Sequence, residues 1–258
     1  MKDVKIIFFD IDGTLLDFGA KTITPKMEET LLKLRQKGIK LCIATGRSPM
    51  HLPAFTPNRF DAWLTFNGSY CYDATGPLFC NTVRYEDIQT VIQNATKLGR
   101  PVAVATKDRM AANGWDQDLS DYYAFTGQPL VVSPEFDLVC REGVYQVLLG
   151  CRQEDHQRIV EGTTNSKIAA WWDRAADVIP KNGGKGLGVE KILEHFGFTK
   201  EEAMAFGDGN NDLELISAVG TGVAMENGSD RLKAIADDIC GPVSQDGIYQ
   251  YCLAKGLI

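Results

Sequence analysis

The sequence predicts a doubly wound α/β core with a largely parallel sheet, interrupted by an inserted α+β domain. Three observations carry that expectation. Short apolar runs alternate with helical patterns at both ends of the chain, the rhythm of strand–helix–strand crossovers. The sharpest polar motifs follow directly after those runs, at the edge where open α/β sheets bind ligands. From 82 to 181 the rhythm changes, and no predicted strand there ends in a comparable polar cluster.

Residues 4–9 form a β-branched and aromatic run that ends at two aspartates, the pattern of a strand buried on both faces. Thr24 is placed to N-cap a helix, with Pro25 at its first position and Glu28 in its first turn. Leu31, Leu32 and Leu34 supply its apolar face, and Gly38 closes it. Residues 40–44 form a second strand ending at Thr45-Gly46-Arg47, and residues 62–66 a third ending at Asn67-Gly68. In the middle, helices are expected at 85–98 and 153–161, and strands at 101–105, 145–149 and 167–172. The first rhythm then resumes: a helix at 186–196, a strand at 203–206, a helix at 212–218, a strand at 221–224, and helices at 230–236 and 247–254. The expected domains are therefore 1–81 with 182–258 for the core, and 82–181 for the insertion.

A chain of 258 residues buries on the order of 70–75% of its unfolded surface and needs no staples to fold. Its 27 Lys and Arg against 34 Asp and Glu leave a net charge of −7, so no nucleic-acid partner is expected. The seven cysteines are odd in number and lack any C-x-x-C pair, which reads as reduced thiols in a cytoplasmic protein. No signal-peptide pattern is present, and no apolar stretch nears the roughly 20 residues that cross a bilayer, so no membrane partner is expected. The assembly expected is a monomer or weak homo-oligomer.

The strongest chemical signal is Asp10-Ile11-Asp12-Gly13-Thr14. Carboxylates two apart point to the same side where strand geometry persists. Crowding two negative charges is unfavourable unless a cation or a shared proton relieves them. An isolated Asp-x-Asp-Gly is more often a turn; the buried strand before this one sets it apart. Gly207-Asp208-Gly209-Asn210-Asn211-Asp212 also follows a strand, and its two aspartates share a helix face if the turn between them is helical. It is no EF-hand, because Leu213 stands where that loop needs Gly. Asn182-Gly183-Gly184-Lys185-Gly186 is no P-loop, since Gly follows Lys185, but it sets a lysine at a helix start where an anion is in reach. Thr45-Gly46 adds a strand-end hydroxyl and backbone N–H groups. Four acids, a hydroxyl and a lysine at strand ends suit a hard, oxygen-ligated cation such as Mg²⁺ shared with a phosphate. His51, His156 and His195 are scattered and make no softer metal site.

These motifs, in this order, resemble the haloacid dehalogenase-like (HAD) phosphatase superfamily and its Cof-type branch, whose C2-type cap is inserted between the second and third motifs. Gly222-Val223-Ala224-Met225-Glu226-Asn227 and Asp246-Gly247 are similar to that branch too. The resemblance implies a Rossmann-like core and an Mg²⁺-dependent phosphomonoesterase of small phosphorylated metabolites, most of all sugar phosphates. It implies Asp10 as nucleophile and Asp12 as general acid and base. Mg²⁺ would be held by Asp10, the Asp12 carbonyl, Asp208 and Asp212. Thr45, Gly46, Lys185 and Asn211 would bind the phosphate. The cap aromatics Trp115, Tyr122, Tyr123, Phe125, Trp171 and Trp172 are candidate walls for a sugar ring, although burial in the cap core is the commoner fate of such residues. Competing readings are a sugar phosphomutase on the same scaffold and a silent phosphometabolite-binding protein. Intact Asp10 and Asp12 argue against the second.

Overall fold

The N-terminal apolar run becomes the middle strand of a sheet, Ile6–Phe9 (β1), buried on both faces. The computed structural model describes residues 3–57, 59–124, 129–170 and 172–258. Strands follow at Lys40–Ala44 (β2), Ala62–Thr65 (β3), Tyr70–Asp73 (β4), Gly76–Cys80 (β5), Val102–Ala105 (β6) and Met110–Ala112 (β7). The remainder are Gln146–Gly150 (β8), Ser166–Ala169 (β9), Ala175–Pro180 (β10), Ala203–Gly207 (β11), Thr221–Met225 (β12) and Asp238–Cys240 (β13).

The first sheet runs β13-β12-β11-β1-β2-β3-β4-β5. Every pair from β13 to β3 is parallel, and β4 returns antiparallel to β3. Successive strands move outward from β1 to one side, then restart at β11 on the other. The switch of direction therefore falls between β1 and β11, where doubly wound sheets bind their ligands. Alternate residues sort to opposite faces. Ile7, Phe9, Leu41, Ile43, Met204 and Phe206 pack with Met27, Leu31, Leu34, Ile248 and Tyr251. Ile6, Phe8, Cys42, Ala44 and Ala205 pack with Val189, Ile192, Leu215 and Leu232. Each Val, Leu, Ile, Phe or Met among them, fully buried, stabilises the fold by roughly 1.5–3 kcal/mol.

The helix Pro25–Gln36 starts as its cap residues dictate: the Thr24 hydroxyl accepts the Met27 N–H, and Gly38 past its end takes φ 80. Other elements differ from expectation. The hairpin β4–β5 and the three-residue β13 were not foreseen. The helix expected from 212 begins at Leu213, because the Asp212 carboxylate turns back to accept the Asp208 and Gly209 N–H groups and holds Asn210–Asp212 in a 3₁₀ turn. The helix expected to 236 ends at Lys233, and the nearby Asp237 accepts the Gly222 N–H.

The chain divides into two units. One comprises the chain to Gly46, Leu52–Phe79 and Lys185–Ile258; the other comprises Arg47–His51 and Cys80–Gly184. The second unit has its own antiparallel sheet, β7-β6-β8-β10-β9. Val104, Val147, Leu149 and Val178 bury one face of it under Ile88, Val91 and Ile159 from the helices Tyr85–Lys97 and His156–Val160. Two of its strands, β7 and β10, and its helix Gln117–Ala124 were not read from sequence. Of the candidate wall aromatics, Tyr122 and Tyr123 are buried, Trp115 is exposed, and Trp172 stacks under the Arg174 guanidinium. Phe125 and Trp171 lie outside the described residues. None of the seven cysteines is disulfide-bonded. Among the described residues, no helix is long and apolar enough to cross a membrane.

Candidate active site

Loops after the parallel strands β1, β2, β3 and β11, with the start of the helix Lys185–Phe196, supply the first unit's polar centre. Asp10 follows β1 directly, and its N–H donates to the Phe206 carbonyl of β11 at 3.0 Å. Below it, the rings of Phe9 and Phe206 stack at 5.5 Å. The register of β1 against β11 thus brings the loops after both strands side by side.

Strand geometry ends at Phe9. The chain turns at Gly13, φ 84, and Asp12 makes an isolated bridge to Leu16. Gly13 is required there: a Cβ would lie 2.2 Å from Asp208 Oδ2. The Thr14 hydroxyl donates to Asp208 Oδ1 at 3.1 Å, and Asn227 Nδ2 donates to the Gly13 carbonyl at 2.8 Å. Asn227, not singled out as a site residue in the sequence, therefore steadies the turn that separates Asp12 from Asp208.

Lys185 is the first residue of the helix Lys185–Phe196, and its side chain is wholly buried. Its ammonium donates to Asp10 Oδ1 at 2.7 Å and to Asp212 Oδ1 at 2.6 Å. Burial disfavours that ammonium, yet the Asp10 and Asp212 carboxylates outweigh burial and raise its pKa. Burial pushes the Asp10 carboxyl up to about 7; Lys185 opposes this, while Asp212 and Asp12 add to it. Asp208 rises further, to about 9, from burial first and then from the Asp10 and Asp212 charges.

Oxygens of Asp10, Asp208 and Asp212 lie within 4.8 Å of one another, the one such cluster among the described residues. No thiol or imidazole joins them. Three carboxyl groups crowd one lysine, and the donors are all oxygen. The set fits a hard divalent cation such as Mg²⁺.

Thr45, at the end of β2, is buried; its N–H donates to the Leu64 carbonyl and its carbonyl accepts the Asn67 N–H. Gly46 lies against the Asn67 carboxamide, which also accepts a 3.0 Å hydrogen bond from Asn211 Nδ2. The structure thus brings Asp10, Asp208, Asp212 and Lys185 into direct contact or common reach, and joins Thr45, Gly46 and Asn211 through Asn67. Asp12 is half-buried and near enough to act on the Asp10 charge. Arg47 donates to the His51 carbonyl.

A doubly wound sheet carrying this acid–lysine cluster at its switch point is the architecture of the haloacid dehalogenase-like hydrolases. The chain belongs to that family, whose profile matches residues 7–252, and it is a phosphatase of the family. Among its relatives, YkrA of Bacillus subtilis (strain 168) is 32% identical over 259 residues, spanning 99% of each chain. Pyridoxal phosphate phosphatase YbhA of Escherichia coli (strain K12) is 28% identical, spanning 96% of this chain and 97% of that one. The solved structure of the HAD subclass IIB sugar phosphatase BT4131 matches with a TM-score of 0.91 at 28% identity, over 99% of this chain and 100% of that chain.

Proposed function

We propose that this phosphatase hydrolyses phosphomonoesters of small metabolites, sugar phosphates foremost, through a phosphoaspartate on Asp10 with Mg²⁺ as cofactor. The observation that carries the reading is the Asp10–Lys185–Asp212–Asp208 cluster at the β1–β11 switch point. The likeness to the sugar phosphatase BT4131 supports the substrate class.

Lys185 holds one Asp10 oxygen and so orients the carboxylate. An Asp10 oxygen attacks phosphorus, and the bond to the leaving oxygen breaks as Asp12 gives that oxygen a proton. Water then attacks the phosphoaspartate and loses a proton to Asp12; the Asp10–phosphorus linkage breaks and phosphate leaves. Thr45, the Gly46 N–H and Asn211 bind phosphoryl oxygens, and Lys185 offsets charge gathering in the transition state. Asp10, Asp208, Asp212 and the Asp12 carbonyl would hold Mg²⁺, which supplies charge neutralisation of the phosphoryl oxygens. Residues 82–181 form the inserted domain in this reading, in keeping with the unit that comprises Arg47–His51 and Cys80–Gly184. Seven cysteines in the thiol form, six of them buried, favour the cytoplasm as its place of action.

The test is phosphate release from a panel of sugar phosphates and other phosphorylated metabolites, with Mg²⁺ and with chelator. Metal-dependent release is expected, lost in Asp10→Asn while the fold persists. Full turnover in that variant, or turnover indifferent to chelation, refutes the reading. Accumulation of an isomeric sugar phosphate in place of free phosphate would reassign the enzyme as a mutase.

A further inference from the structure

We propose that Asn67 is a positioning residue for phosphate binding: its carboxamide clamps the Thr45–Gly46 turn and the Asn211 side chain into one rigid cradle. The inference rests on the reading of Thr45, Gly46 and Asn211 as phosphate contacts.

The clamp begins with the backbone. Phe66 and Asn67 take φ 50 and φ 51 in succession, at the end of β3. Left-handed backbone is unfavourable for Phe and tolerated by Asn, and two such residues in series persist only where their surroundings over-determine them. Asn67 is 1% exposed, so its amide is sequestered from water. Its N–H donates to the Thr45 carbonyl at 3.0 Å. Its side chain lies so close to Gly46 that a Cβ there would sit 3.1 Å from Nδ2 and 3.2 Å from Oδ1. Asn211 Nδ2 completes the arrangement by donating to Asn67 Oδ1 at 3.0 Å.

One carboxamide therefore touches the loop after β2 and the loop after β11, which leave the sheet on opposite sides of β1. With Oδ1 engaged by Asn211, the Asn211 amide cannot rotate without losing a partly buried hydrogen bond. The absence of a side chain at Gly46 then has two causes, access to its own N–H and room for Asn67.

Asn suits left-handed backbone by itself, so a purely conformational role must be separated from a positioning one. Asn67→Gly does this, because glycine accepts φ 51 at no steric cost while the carboxamide is lost with the rest of the side chain. With a phosphomonoester that the wild type turns over, Asn67→Gly is expected to raise KM about 10–100-fold. The inhibition constant of inorganic phosphate should rise by a similar factor, with a smaller change in kcat. Gly46→Ala should impair the wild type but add little in the Asn67→Gly background, where its obstacle is gone. Unchanged KM and unchanged phosphate inhibition in Asn67→Gly overturn the proposal, as does an undiminished Gly46→Ala effect in that background. The same assays on Asp10→Asn keep the two failures apart: turnover by that variant refutes the nucleophile and leaves the clamp to be judged on phosphate inhibition alone.

Discussion

At the residue scale, the acids and the lysine were legible because each stands where a strand or glycine run meets a helix start, and their chemistry demands company. Asn67 was not. Asn67-Gly68 was read only as the end of a strand, and nothing in the residue types betrayed a use for its side chain. Asn227 was opaque for the same reason: its partner, the Gly13 carbonyl, lies 214 positions away. Gly13 was readable as a turn, but not as the floor on which Asp208 rests. Gly13→Ala places a methyl onto the Asp208 carboxylate and strains a φ of 84. We expect a loss of about 1–2 kcal/mol of stability, together with loss of the thermal shift expected from Mg²⁺ in the wild type. Thermal melts with and without Mg²⁺ check it; an unaltered metal-dependent shift contradicts the close approach.

At the element scale, the parallel strands β2, β3, β11 and β12 were found to within one residue, since apolar runs bounded by glycine or aspartate have few alternative readings. The hairpin β4–β5 escaped because its second strand carries Gly76 and Pro77, which argue against strand when read locally. Strand β13 has three residues and owes its existence to pairing with β12. The 3₁₀ turn before Leu213 was set by a side chain answering backbone donors, an effect no periodicity records. The helix Lys185–Phe196 shows how an element serves the site. A Cβ on its Gly188 would lie 2.4 Å from Leu64 Cδ1, so the helix seats directly on β3 and its first residue is fixed over Asp10. Gly188→Ala should overpack this contact, costing roughly 1–3 kcal/mol, and should lower kcat as Lys185 shifts. Chemical denaturation and steady-state kinetics test both; a variant with wild-type stability would show that the seat is loose.

At the scale of the whole molecule, the carboxyl cluster couples folding to pH. Asp10 and Asp208 hold protons in the folded state up to about 7 and about 9, whereas unfolded carboxyls release theirs near 4. The native state therefore binds more protons across that window, and metal-free stability should fall as pH rises through it. Lys185, its pKa raised, contributes stability that is present throughout the window and lost only above it. We expect a lower Tm at pH 9 than at pH 6 in chelator, a smaller difference in saturating Mg²⁺, which favours the deprotonated ligands, and a flatter profile in Asp208→Asn. A metal-free Tm that climbs from pH 6 to pH 9 would contradict the buried-acid account. Placing β1 at the middle of its sheet has one more consequence, for synthesis. Lys185 comes 175 positions after Asp10, and Asp208 comes 194 after Thr14. At about 5–20 residues per second, the ribosome leaves the first aspartate waiting on the order of 10–35 s for its lysine. Throughout that interval the most apolar strand of the nascent chain has one flank without a neighbour, so the hazard of aggregation falls on translation rather than on the finished enzyme.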